Sequence, residues 1–331
     1  MAVRRRKQRR GRSYAWRYRG RIVACVFVEV LIICALVIMV GWNKGVKEWF
    51  EQFEQPVLKE VDISGINSPN AILMQARGGK ILGEINGEAQ IYPASMTKIM
   101  TVILGIENFD DLDEKITLTD EMFAGLYEQD ATQAGFQPGE EVRVIDLLYG
   151  AMLPSGAECC IALADTISGS EADFAELMNK KAAKLGMDNT HFCDSTGLHN
   201  QDHYSTVKDI AVLMKYCIKN DTFREIVETS RHSTGVTNIH PDGITYYSTM
   251  FKNLSDPTVT GGKILGGKTG YTSEAGHCLV SFAEIEGREY IFVSAGASGA
   301  DGNTIPHIQD AVTVYNRVGA AIEAKMNDNN K

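Results

Sequence analysis

Residues 22–41 form an unbroken apolar run of twenty residues that carries one charge, Glu29. As a helix rising about 1.5 Å per residue, it reaches roughly 30 Å, the thickness of a bilayer core. Residues 1–21 hold ten Lys and Arg and no acid. Tyr14, Trp16 and Tyr18 on one side of the run, with Trp42 on the other, suit the two water interfaces. The positive-inside rule then places residues 1–21 in the cytoplasm and the chain beyond Trp42 on the outer face of the cell membrane. A cleaved signal peptide would need a shorter apolar core and a small-x-small exit, which Val40, Gly41 and Trp42 do not supply. The lipoprotein-like box ending at Cys25 lies at the start of the apolar run rather than after it. The expectation is an uncleaved, single-pass signal anchor over residues 22–42 that contacts the lipid bilayer.

The chain has 331 residues and a net charge of −9, but the cations are concentrated in the tail, which leaves 23 bases against 42 acids for the rest. An acidic body has no basic face for nucleic acid, so nucleic-acid binding is excluded as its work. Seven cysteines at irregular spacing, two of them inside the apolar run, do not make a disulfide framework. Cys159 and Cys160, beside an apolar stretch, read as small core residues.

Residues 43–66 are polar and charged and read as a linker, leaving 67–326 as one exported domain. Residues 71–75, Gly78, Gly79 and residues 81–82 predict a hairpin, and residues 277–285, Glu286, Gly287 and 290–295 predict a second. Helical spacing dominates between them. Ile210, Leu213, Met214, Cys217 and Ile218 follow Ser205, Thr206 and Asp209, which suit a helix start. Phe174, Leu177, Met178 and Leu185 follow Ser170, and Gly186 stops that helix. A last helix carries Ile308, Val312, Tyr315 and Ile322 on one face. Strands at both ends of a helical middle predict an α/β domain whose chain returns to its own first sheet around an inserted helical lobe.

The chemistry starts at Ser95 and Lys98, an S-x-x-K pair. Alone the pair is weak, since ordinary usage gives on the order of one chance match in this length. Ser205 and Lys208 make a second such pair, accounted for as a helix cap. Only Ser95 heads an ordered set, with Ser155, Gly156 and Ala157 next and the sole K-T-G, Lys268, Thr269 and Gly270, after them. At a helix start, Ser95 and Lys98 lie one turn apart, so the amine reaches the hydroxyl. Burial under Ile99, Met100, Val102, Ile103 and Leu104, and a second cation at Lys268, would lower the Lys98 pKa and free an amine to act as base. Gly266, Gly267 and Gly270 suggest an open strand edge on which an extended peptide lies.

These residues resemble the motif set of penicillin-binding proteins and serine β-lactamases. Tyr92, Pro93 and Ala94, Met152 to Pro154, Lys184 to Met187 with Phe192, Thr196 to Leu198, His203 to Thr206, and Gly267 to Gly276 look like the D-alanyl-D-alanine carboxypeptidase branch. The resemblance covers roughly residues 67–300. It implies a DD-peptidase/β-lactamase-like fold, no cofactor, and release of the terminal D-alanine from peptidoglycan stem peptides, with β-lactams as covalent inhibitors. By the same resemblance Ser95 is the nucleophile, Lys98 its base and Ser155 a proton relay. Lys268 and Thr269 of the K-T-G hold the substrate carboxylate, and the N–H groups of Ser95 and Tyr271 form the oxyanion hole.

Two positions depart from the pattern. Ala157 stands where relatives have an asparagine, leaving room for water or for Glu158, and residues 296–302 hold no cation. Competing readings are a non-catalytic cell-wall or penicillin-binding module, a transpeptidase using the same acyl-enzyme, and a β-lactamase, which needs a deacylating carboxylate that nothing marks among acids such as Glu171 and Asp173. A metal held by His199 and His203 is disfavoured because the segment between them reads as a loop.

Overall fold

The computed structural model describes residues 58–254, 256–299 and 305–329. The basic tail, the expected span and residues 43–57 of the expected linker lie outside these residues. Among the described residues no helix is long and apolar enough to cross a membrane.

Strands β1 (Asn70–Gln75) and β2 (Ile81–Ile85) form the first hairpin, turning through Gly78 and Gly79 at φ +85° and +71°. The lobe follows. A 3-10 turn (Ala94–Thr97) leads into α1 (Lys98–Asn108), then β3 (Lys115–Thr117), β4 (Glu141–Arg143), α2 (Val144–Met152), α3 (Ala157–Ser168) and α4 (Glu171–Leu185). Next come α5 (Val207–Cys217), α6 (Asp221–Glu228), the short strands β5 (Arg231–Ser233) and β6 (Thr245–Tyr247), and α7 (Thr249–Asn253). The chain then re-enters the sheet as β7 (Thr258–Val259), β8 (Gly262–Thr272), β9 (Gly276–Ile285) and β10 (Arg288–Ala297), and ends in α8 (Pro306–Asn329).

The main sheet is antiparallel in the order β2-β1-β10-β9-β8-β7, so β10 closes directly on β1. Between β9 and β10, Glu286 and Gly287 take φ +47° and +67° in a two-residue turn, which matches the right-handed strand twist. Side chains alternate between two cores. Ile72, Met74, Val280, Phe282, Ile291 and Val293 face the helical lobe, while Ala71, Leu73, Leu279, Ala283, Tyr290 and Phe292 face the α8 side. Both faces are covered, which accounts for strands far more apolar than a one-sided antiparallel sheet requires.

The expected helix ends are found at Ser170, whose hydroxyl accepts from Asp173 N, and at Gly186 in the left-handed region. Other details differ. The cap of α5 is Thr206, which accepts from Asp209 N, and not Ser205. Ser205 is fully buried, bridges to Ile91 through its backbone and meets the Thr190 hydroxyl at 2.8 Å. The end of the expected linker is part of the packed body, because Leu58, Val61 and Ile63 are buried in the α8-side core and Val61 N donates to Leu82 O. Val61 and Ile63, separated by Asp62, face the core as alternate residues of an edge segment do.

One carboxylate ties this entry segment to α8. Buried Asp310 accepts Asn67 N and Nδ2 on one oxygen, at 2.8 and 2.7 Å, and Ser68 N and Oγ on the other, at 2.9 and 2.6 Å. Replacing Asp310 by alanine leaves four donors without an acceptor. The expected cost is about 3 kcal/mol, read as a fall in melting temperature of roughly 5–10 °C by calorimetry. A change under about 1 °C would show that water replaces the carboxylate there.

Candidate active site

The site lies where the lobe meets β8. Ser95 sits in the 3-10 turn just before α1, half-buried, and Lys98 opens α1 with its side chain buried. Ser155 lies between α2 and α3 at φ +72°, a costly conformation for a residue with a Cβ, and Ala94 beside Ser95 sits at +46°. Neighbours enforce both. Gly156 N donates to Gly150 O, Ala157 N to Thr132 O and Thr249 N to Leu153 O, which pins the loop carrying Ser155. Around Ala94, a Cβ added to Gly197, itself at φ +78°, would meet Ala94 O at 1.9 Å, and one added to Gly270 would come 3.0 Å from Ser95 N. Only glycine allows two segments to press so closely on the turn that carries Ser95.

Four side chains form an unbroken line. Lys98 Nζ lies 3.0 Å from Ser95 Oγ, Ser155 Oγ lies 2.9 Å from Ser95 Oγ, and Lys268 Nζ lies 2.9 Å from Ser155 Oγ. The structure therefore brings together Ser95, Lys98, Ser155 and Lys268 from three distant parts of the chain. Lys98 also donates to Thr196 O at 2.6 Å and Lys268 to Thr269 O at 2.8 Å. Among the described residues neither amine forms an ion pair within 4.0 Å. Burial pushes the Lys98 amine below the ordinary lysine value, against the opposing pull of Cys160, Asp194, Glu158 and Cys159. Lys268 is driven well below its ordinary value, by burial first and then by the Lys98 charge. Burial is thus the main cause at both lysines.

The strand edge is narrower than the glycines suggest. Strand β7 pairs only with Gly262 and Lys263, and further along a Cβ on Gly266 would strike Val227 O of α6 at 2.4 Å. Gly267 is equally confined, by Met250 of α7 and by Val280 O. These two glycines admit packing elements rather than a ligand, and the edge left for one begins at Lys268. Thr269 meets the Thr249 hydroxyl there at 2.7 Å, and Tyr271 projects outward, 61% exposed, with its ring 4.7 Å from that of His277.

Glu158 departs from expectation, and Glu171, His199 and His203 are engaged by other neighbours. Glu158 does not turn to Lys98: its Oε1 accepts Ala134 N and Gly135 N at 2.6 and 2.9 Å, and burial raises its pKa. Glu171 holds Ser195, whose N and Oγ both donate to it, so it serves the supporting loop rather than Ser95. His203 bonds Thr97 and Asp194, whereas the His199 ring packs edge-on against Tyr92. Cys159 and Cys160 are core residues of α3, as expected. The Asp194, Ser195 and His203 contacts are what sequence reasoning left out, although His203 and Thr196 stood inside segments picked out as motifs.

A family model described as D-alanyl-D-alanine carboxypeptidase matches residues 57–299. The chain is 35% identical over 231 residues to the D-alanyl-D-alanine carboxypeptidase DacF of Bacillus subtilis, covering 69% of this chain and 57% of that one. It is 33% identical over 262 residues to DacC of Escherichia coli, covering 72% and 58%. The chain thus spans somewhat over half the length of these two relatives. Among solved structures, the Streptomyces K15 DD-transpeptidase superposes with a TM-score of 0.69 at 29% identity, over 79% of this chain and 100% of that one. By the family match over residues 57–299, the chain belongs to the D-alanyl-D-alanine carboxypeptidase family.

Proposed function

We propose that this domain removes the C-terminal D-alanine from peptidoglycan stem peptides through an acyl-enzyme on Ser95, and that penicillins acylate the same hydroxyl. The observation that carries the reading is the continuous line from Lys98 through Ser95 and Ser155 to Lys268, beside a strand edge that starts at Lys268. The Lys98 amine, its pKa lowered by burial, takes the Ser95 proton, and Oγ bonds to the penultimate D-alanine carbonyl carbon. The oxyanion is held by the N–H groups of Ser95 and Tyr271. As the C–N bond breaks, the proton passes by way of Ser155 to the departing nitrogen, and D-alanine leaves. Water then hydrolyses the ester, with Lys98 again taking a proton. Lys268, lying against Ser155, and Thr269 with Thr249 receive the substrate carboxylate. No cofactor enters these steps. Transfer of the acyl group to an amine would use the same intermediate, and the likeness to an enzyme named a DD-transpeptidase favours testing for it.

The test incubates the full chain with a labelled penicillin and with a pentapeptide ending in D-Ala-D-Ala, with and without an amine acceptor. An adduct and released D-alanine are expected, with hydrolysis exceeding transfer. Ser95→Ala should abolish both signals, and labelling that persists would reject the mechanism. Lys98→Arg keeps the charge but cannot lose its proton at working pH, so acylation should fall by about 10²–10⁴-fold in a folded variant. A wild-type rate would make Lys98 a structural cation only.

We further infer that residues 22–42 anchor the domain on the outer face of the cell membrane, with residues 1–21 inside. The support is the cation cluster followed by the apolar run. Protease added to intact cells should digest the body and spare the basic tail. A mature chain starting beyond Gly41 would overturn the anchor.

A further inference from the structure

A buried hydrogen-bond network stands behind Lys98 and is not used by the steps above. Thr196 O, the acceptor nearest the Lys98 amine, belongs to a short loop gathered around one carboxylate. Asp194 Oδ1 accepts Thr196 N, Thr196 Oγ1 and Gly197 N, each at 2.7 Å. Its Oδ2 lies 3.1 Å from His203 Nδ1, and His203 Nε2 lies 2.8 Å from Thr97 Oγ1. Thr97 is fully buried between Ser95 and Lys98, so the network grips the nucleophile turn from within. Gly197, fixed by the same carboxylate, is the residue pressed on Ala94 O. The next carbonyl back, Ser195 O, accepts the Thr101 hydroxyl one turn along α1, which keeps the loop parallel to the base.

We propose that Asp194 is the positioning residue of the catalytic base: it aims the Thr196 carbonyl at Lys98 and, through His203 and Thr97, braces the turn that presents Ser95. This rests on the acyl-enzyme reading above. A carboxylate bonded on both oxygens is a rigid anchor, whereas a loop without it would present Thr196 O in several directions. Asp194 also acts at a distance. Burial would raise its pKa, but the bonds from His203 and Thr196 prevail and hold it near 2, so it stays ionised throughout the working range. Its charge supports the protonated form of Lys98, against burial. The other titratable groups facing that amine are Cys160, Glu158 and Cys159 of α3 and Lys268 of β8. Glu171 lies one bond further out, on Ser195.

Asp194→Asn in the full chain tests the proposal. Removing the anion should lower the Lys98 titration midpoint, read by NMR on ε-¹³C-lysine-labelled protein and assigned with Lys98→Arg, by about half a unit or more. The acid limb of penicillin acylation should move the same way. Its plateau should drop by about tenfold or more, because the carbonyl is no longer aimed. A purely structural role would lower the melting temperature and leave the midpoint in place. An unchanged or raised midpoint in a folded variant would overturn the proposal, as would a plateau within about twofold of wild type.

If Asp194→Asn does not fold, His203→Gln carries the test. It keeps the Asp194 charge and releases Thr97, so acylation should slow about tenfold with the midpoint unmoved. Wild-type acylation would overturn the brace. Should the unaltered chain fail to react with penicillin, the proposed function falls, while the NMR midpoint still decides for or against Asp194.

Discussion

Two lysine amines buried within one hydrogen-bonded line set the demands that the rest of the molecule meets. Lys98 and Lys268 are 3% and 1% exposed, and neither has a carboxylate at ion-pair distance among the described residues. Burying an unpaired ammonium is expensive, and the available relief is to lose the proton. Each amine therefore needs neutral acceptors, and each has a main-chain carbonyl and a serine hydroxyl: Thr196 O with Ser95, and Thr269 O with Ser155. Burial thus lowers the pKa of both amines. Ion pairs in the same places would fix both protons.

The topology makes that burial feasible. The turn carrying Ser95 leads into α1, Ser155 sits ahead of α3, and Lys268 lies on β8, so the line is complete only when the lobe docks on the returning sheet. The return depends on β10 pairing with β1, across more than two hundred residues of sequence. Long-range pairing of this kind is slow to form. Asp310 supports the same closure from the far side, joining α8 to the segment that enters β1.

Much of this is legible in the sequence because local chemistry and global fold agree. Glu286 and Gly287 between alternating apolar runs mark a tight hairpin, and Ser170 and Gly186 mark the two ends of α4. Ser95, Lys98, Ser155 and Lys268 announce themselves by order and type. What escapes is what depends on approach distance. Gly266 and Gly267 read as an open edge, yet they are small so that Val227 O and Met250 can close over them. Ser205 looks like the helix cap, but the bridge to Ile91 takes its backbone into pairing and passes the cap to Thr206. Asp194 has no spacing signature, since its partners lie two, three and nine residues further along the chain.

The departure at Ala157 belongs to the same pattern. Its methyl is buried, its N–H is spent on Thr132 O, and Glu158 next to it is turned away to the backbone of Ala134 and Gly135. Residues 132–135 are thus held against the start of α3 by a main-chain bond and a carboxylate on consecutive residues. Gly156 completes the fit, because a Cβ there would meet the Ala134 methyl at 2.7 Å. The position that carries an amide in the family pattern is here part of a packed wall. The same wall fixes the left-handed Ser155 through the residues on its C-terminal side. Alanine at this point removes one polar group from the cleft and leaves the Ser155 hydroxyl 2.9 Å from both Ser95 and Lys268. The wall maintains those distances without the amide.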